Sequence, residues 1–245
     1  MQRFIPPAVV LAVFLGCTLF TGCGSLCSNF GWGCPEINYD DLIERDGLYY
    51  KKFSADPVSG KAIGKKTGLL RKGKREGIWN FYFEDGGLSS EYSYKGGVEH
   101  GLFTLWRENG NKEEEGTYKD GEKHGLFTLW LENGNKWSET TYKGGVKHGP
   151  YTRWRENGNK WSETTYKGGV VHGPFTEWYE NGNKKQQYTY KDAIPHGLST
   201  SWYENGNKWQ EGTYKDAIPH GLWTNYDENG SVTRQSTYEN GELLP

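Results

Sequence analysis

The chain has four cysteines, and none lies beyond Cys34. A disulfide framework is therefore excluded for most of its length, as is a zinc site built from four such ligands. No stretch places apolar residues at a 3.6-residue period over a useful length, so amphipathic helices are not expected. No apolar run approaches the ~20 residues of a membrane-spanning helix. Charge of one sign is scarce too: 29 Lys and Arg against 31 Asp and Glu leave −2. A nucleic-acid-binding domain would be strongly basic, so no nucleic acid is expected as a partner. No nucleophile motif, phosphate-binding glycine loop or Cys–His pair is found, and no cofactor is implied. What the chain does have is aromatic residues, at 16%, on an apolar content of 34%.

Those aromatics recur. The stretch from His100 restarts at His124, His148, His172, His196 and His220, always 24 residues on, without insertion or deletion. A weaker copy occupies residues 76–99, and the final copy runs from His220 through Gly241. A fixed period of this size marks a solenoid, propeller or stacked array, and 24 residues are too few for a propeller blade of about 40. Each copy carries two turn signals. Asn-Gly recurs from Asn109-Gly110 to Asn229-Gly230, with Asp85-Gly86 in the weak copy. This pair predicts a tight two-residue hairpin loop. The second signal is Lys-Gly-Gly or Lys-Asp-Gly, as at residues 143–145 and 119–121. Between turns lie runs rich in Thr, Tyr, Trp and Phe, which suit a pleated surface. The reading is an all-β fold: an elongated antiparallel meander of 24-residue β-hairpins. At about 4.8 Å per strand, seven copies advance about 65–70 Å.

Two irregularities carry expectations of their own. Ala193 and Ala217 stand where other copies have glycine, and alanine resists positive φ, so those turns are expected to differ in type. Pro150 and Pro174 replace leucine at the register of Leu102, which predicts a strand start or a bulge there. Same-register residues form columns, notably Trp106, Trp130, Trp154, Trp178 and Trp202, and Tyr118, Tyr142, Tyr166, Tyr190, Tyr214 and Tyr238. With a two-residue loop at Asn109-Gly110, Trp106 faces position 113 and Tyr118 faces Gly101, where a ring over a strand glycine would pin the register. Aromatics then line both faces, in a sheet that is either open or rolled onto itself.

The succession Tyr142, Lys143, Gly144, Gly145, Val146, Lys147, His148, Gly149, then residues 154–160 from Trp154 to Lys160, then Glu163 and Tyr166, resembles the MORN repeat. It is more similar to the bacterial variant found in the YwqK family of antitoxin-like proteins. The resemblance covers residues 77–241, with a weaker trace in residues 70–77. It implies a β-hairpin array with a binding or scaffolding role, and an antitoxin role whose partner would be a cognate toxin.

In chain order, residues 1–22 read as a signal peptide: Arg3, the apolar residues 8–15, then Phe20, Thr21 and Gly22 before Cys23. This resembles a bacterial lipoprotein cleavage site, with Cys23 lipidated. An uncleaved anchor and plain secretion are the other readings. The protein is thus expected in the cell envelope as a membrane-anchored lipoprotein, at the outer membrane if the source is Gram-negative. Cys27 and Cys34 are a candidate disulfide, against two free thiols in a tether. Residues 23–40 read as a flexible tether, residues 41–76 as a diverged capping region and residues 77–245 as the array. The cluster Lys61, Lys65, Lys66, Arg71, Lys72, Lys74 and Arg75 reads as a solvated or edge-protecting face, or as a contact to anionic lipid headgroups.

The six histidines occupy one register roughly 10 Å apart, too far to share a metal that each must approach within about 2.1 Å, so no metal is expected. The recurrent glutamates offer the same environment in every copy, whereas a catalytic site needs one asymmetric constellation, so the chain is not expected to be an enzyme. Two classes remain: a protein-binding module, antitoxin- or immunity-like, and a structural or glycan-binding envelope protein using its Trp and Tyr columns. Three registers drift between copies. Leu105 becomes Leu129 and then Arg153, Glu177, Ser201 and Asn225. Arg107 becomes Leu131, Arg155, Tyr179, Tyr203 and Asp227; Glu113 becomes Trp137, Trp161, Lys185, Trp209 and Thr233. A packed column would not accept leucine and charge alternately, so these registers are expected to be exposed. Trp137, Trp161, Trp209, Tyr179, Tyr203, Leu105, Leu129 and Leu131 are the candidate partner-binding residues. The alternative is a tolerant surface without a partner.

Overall fold

The computed structural model describes residues 33–245. The expected signal segment, the expected lipidation site Cys23 and Cys27 of the candidate disulfide lie outside the described residues; Cys34 is disulfide-bonded. Within residues 35–245 the fold is all-β, a long meander sheet with one 3₁₀ turn at Tyr39–Asp41. Among the described residues no helix is long and apolar enough to cross a membrane.

From Gly60–Ile63 onward the strands form an antiparallel meander, in which Glu122–Lys123 and Gly125–Trp130 are two parts of one strand that both pair with Lys112–Lys119. Extensive contacts join strands adjacent in this order. The sheet's entry edge is covered by Glu36–Asn38, which pairs in parallel with Gly60–Ile63. Residues 36–38 thus belong to the sheet and not to the tether, because Ile37 is buried in the entry core. The boundary drawn at residue 76 also falls inside a continuous strand, Lys74–Tyr82. The hairpin Leu42–Arg45 and Leu48–Lys51 forms a small second sheet beside this end.

The two-residue loops are found at the second turn signal and not at Asn-Gly. At Asn109-Gly110 the loop has three residues: Gly110 N–H donates to Arg107 O at 2.9 Å, and Arg107 N–H to Asn111 O at 2.9 Å. Only Gly110 has positive φ, at 82°, giving a type I turn closed by a glycine bulge. The Asn109 side chain accepts from Asn111 N–H at 2.9 Å, which holds the turn. The register consequently shifts by one, and Trp106 faces Lys112 where position 113 was expected. The tight two-residue loops are instead at Gly96-Gly97 and Asp120-Gly121, with positive φ at both residues. Asp192-Ala193 and Asp216-Ala217 adopt this same geometry, with Ala193 at φ 65° and Ala217 at φ 66°. The alanine turns therefore match the glycine ones in type and carry strain, because flanking ladder bonds fix the loop length.

Each copy also bulges near its histidine, as between Thr140 and Tyr142 opposite residues 147–151, and Pro150 and Pro174 fall at these bulges. One face carries Gly101, Phe103, Leu105, Glu114, Gly116 and Tyr118; the other carries Leu102, Thr104, Trp106, Lys112, Glu115 and Thr117. Tyr118 does pair with Gly101. The rings that cover strand glycines are others, however: a Cβ on Gly116 would lie 2.8 Å from Phe127, one on Gly212 2.1 Å from Trp223, and one on Gly68 2.4 Å from Trp79. Glycine stands where the neighbouring ring needs its space.

Among the described residues the large hydrophobic cluster lies at the entry end, where Ile37, Tyr49, Val58, Ala62, Leu70, Trp79 and Tyr94 come together. Arg75 enters it, 5.1–5.3 Å from the rings of Tyr49, Trp79, Phe81 and Tyr94 and donating to Tyr49 Oη at 2.7 Å and Tyr94 Oη at 3.0 Å. Lys66 stands over Tyr39 at 4.8 Å. The basic cluster is thus divided: Arg75 and Lys66 are half-buried among rings, while Lys61, Lys65, Arg71, Lys72 and Lys74 are exposed.

Candidate interaction surface

The residues that repeat without change join each copy to the next. At the Asn-Gly end, Asn111 Nδ2 donates to Glu132 O at 2.9 Å, and Asn135, Asn159, Asn183 and Asn207 do the same to Glu156, Glu180, Glu204 and Glu228 at 2.6–3.0 Å. At the other end the second residue of each tight turn donates its N–H to the preceding copy: Gly121 to Glu99 O, Gly145 to Lys123 O, Gly169 to Lys147 O, and Ala193 to Val171 O at 2.8–2.9 Å. The histidines act at this seam. His100 Nδ1 lies 3.4 Å from Asp120 N–H, and His148 Nδ1 3.4 Å from Gly168 N–H. His172 and His196 are turned in the same way to Asp192 and Asp216, whereas His220 Nδ1 is buried without a hydrogen-bond partner among the described residues.

One face carries a row in which tryptophan and lysine alternate. Lys112 Nζ lies 5.5 Å from the Trp130 ring, and Lys136, Lys160 and Lys184 lie 5.6–5.7 Å from Trp154, Trp178 and Trp202. Lys112, Lys136 and Lys160 also pair with the glutamates three residues on, as in Lys160–Glu163 at 3.0 Å and Lys136–Glu139, and Lys184 donates to Gln187. Glu211 takes hydrogen bonds from Lys208 and Tyr226, which hold its carboxyl below the usual range.

The drifting registers are not uniformly exposed, which corrects the expectation. Leu105 and Leu129 are half-buried, and polar replacements in that column bring partners. Arg153 donates to Ser162 Oγ at 3.0 Å, Glu177 accepts from Gln186 at 2.6 Å, and Asn225 accepts from Gln210 at 2.9 Å. Charge is tolerated because each polar side chain finds a donor or acceptor on the facing strand. The register of Arg107 forms rungs between copies. Arg107 donates to Trp130 O at 3.0 Å, Arg155 to Trp178 O at 2.9 Å, Tyr179 to Trp202 O at 2.9 Å and Tyr203 to Tyr226 O at 2.9 Å. Tyr179 and Tyr203 are therefore half-buried ties between copies. Trp161 is half-buried under Arg153, whose guanidinium carbon lies 4.1 Å from its ring. Trp137 and Trp209 do face solvent, at 44% and 49% exposure. Leu131 is half-buried and lines an open notch with Glu132, Asn133 and Glu156. The rungs were missed in the sequence because each donor reaches 23 residues onward; the clue was that Arg and Tyr, both long donors, fill four of the register's copies.

Seven stretches match the MORN repeat variant: residues 75–95, 99–120, 123–143, 147–167, 171–192, 195–216 and 219–240. The chain belongs to the MORN repeat variant family. The matched stretches place each MORN variant copy on one pair of seam contacts, from a tight turn to the following Asn-Gly turn and back. No curated protein matches the chain. Among solved structures, a porin-like protein from Bacteroides uniformis ATCC 8492 is similar at 13% identity over 79% of this chain and 89% of that one, with a TM-score of 0.19. A likeness that loose carries no argument for the MORN variant array.

Proposed function

We propose that the chain is a non-enzymatic cell-envelope repeat protein that binds a protein partner, in the manner of an antitoxin or immunity protein, and is held at a membrane through a lipid on Cys23. The observation that supports this reading is the division of labour between registers. The invariant residues are spent on the seams, while Trp137 and Trp209 expose large aromatic surface in a register that differs from copy to copy. Aromatic anchors of this kind dominate interface energetics once a partner covers them. The test is capture of envelope proteins by the intact chain and by Trp137→Ser/Trp209→Ser. Loss of one specific partner with unchanged melting supports the reading; unchanged capture overturns this face as its site. Lipid anchoring is tested separately, by acyl labelling of Cys23→Ala, which should abolish incorporation.

A second reading rests on the tryptophan row from Trp106 to Trp202, whose even spacing suits a polymer with a matching repeat. Retention on peptidoglycan or another envelope polysaccharide, lost on substitution within this row, would favour glycan binding.

A further inference from the structure

Between Arg107 and Tyr203 the rungs between copies have one exception. Arg107, Arg155, Tyr179 and Tyr203 each donate to the carbonyl of the aromatic residue 23 positions on. The copy between Arg107 and Arg155 has Leu131, which has no donor, and among the described residues no side chain donates to Trp154 O. Phe83 also lacks a donor, but Ser89 holds the register of Glu113 there. In the Leu131 copy that register, whose side chain Glu113 lies 3.1 Å from Arg107 in its own copy, is held by Trp137, exposed at 44%. An open notch of about 550 Å³ is lined by Leu131, Glu132, Asn133 and Glu156. Glu132 and Glu156 take part in none of the chain's ion pairs among the described residues.

The next copy shows what fits this geometry. There Arg155 donates to Trp178 O at 2.9 Å, with its guanidinium 5.8 Å from the centre of Trp161, the ring equivalent to Trp137. A guanidinium suits such a place better than an ammonium, because its planar fork bonds a carbonyl and a carboxylate while its face lies against an indole. We infer that the Leu131 notch is a binding site for an arginine side chain of the partner, which donates to Trp154 O, pairs with Glu132 or Glu156, and packs against Trp137. This rests on the protein-binding reading above and specifies its chemistry: a partner presenting an exposed arginine.

The experiment titrates the blocked tripeptide acetyl-Gly-Arg-Gly-amide into the full chain and follows the indole N–H resonance of Trp137, assigned with Trp137→Phe. A saturable shift is expected, about tenfold weaker with citrulline in place of arginine. Leu131→Arg supplies the rung from within the chain, so it should melt no lower than wild type and lose the shift. Arg155→Leu should create a second responsive indole at Trp161. The inference is overturned if wild type gives no saturable shift, if citrulline binds equally, or if folded Leu131→Arg binds as wild type does. No saturable shift overturns the notch even where envelope capture succeeds. A saturable shift without any captured protein supports the notch and overturns the protein-binding reading.

Discussion

At the entry end Trp79 and Leu70 are fully buried in a cluster with Ile37, Tyr49, Val58, Ala62 and Tyr94. Six copies later Trp223 occupies the register of Trp79, lies over a strand glycine in the same way, and bonds Thr213 O through its indole N–H as Trp79 bonds Leu69 O. Yet no such cluster surrounds it, and it remains 8% exposed. The same local arrangement thus buries its ring in two ways: under a second layer of chain at the entry end, and among the side chains of neighbouring strands in the array, where Phe103 and Phe127 of the same register are also buried. Between the ends, stability comes from each strand's neighbours: the ladder, the ring-over-glycine fits, the tryptophan–lysine row and the two seams. That is the nearest-neighbour energetics of a repeat array.

Substitutions can sharpen this contrast. Trp79→Ala should cost about 3–5 kcal/mol, the usual loss for a buried large aromatic. Trp223→Ala should cost clearly less, and equal losses in denaturant melts would erase the distinction between entry end and array. Gly116→Ala should come next, at about 1–3 kcal/mol, because the new methyl meets the Phe127 ring at 2.8 Å. Ala193→Gly with Ala217→Gly should raise stability, since left-handed alanine costs about 1–2 kcal/mol and the added chain entropy of glycine offsets about 0.5–1 of it. A fall in melting temperature would show that those turns are not strained. The smallest effect is expected in acid. Glu211 is held low by Lys208 and Tyr226, so its contribution is present above its unfolded pKa and lost as pH falls through its folded one. Glu211→Gln should flatten that part of the stability–pH curve below the ordinary carboxylate value of 4.5.

The meander was legible in the sequence because a constant 24-residue spacing with two turn signals per copy admits few folds. The turn types were not. Asn-Gly and Gly-Gly both allow positive φ, and what decides is that Asn109 stays right-handed while its side chain accepts from Asn111 N–H. That single choice moves Trp106 from facing position 113 to facing Lys112 and so builds the tryptophan–lysine row. The candidate surface was legible at Trp137 and Trp209, which stand in a drifting register and are exposed. It was illegible at Tyr179, Tyr203 and Trp161, whose partners are a carbonyl 23 residues onward or an arginine on the paired strand. Drift marked exposure only where no compensating partner had changed with it.

The seams carry the account's central claim, and native-state hydrogen exchange reads them directly. The turn amides of Gly97, Gly121, Gly145, Gly169, Ala193 and Ala217, each donating to the preceding copy, are predicted to be protected as deeply as the strand amides beside them, and to lose protection together with them. Exchange of these six amides at the rate of ordinary exposed loops, while the strands remain protected, would contradict it.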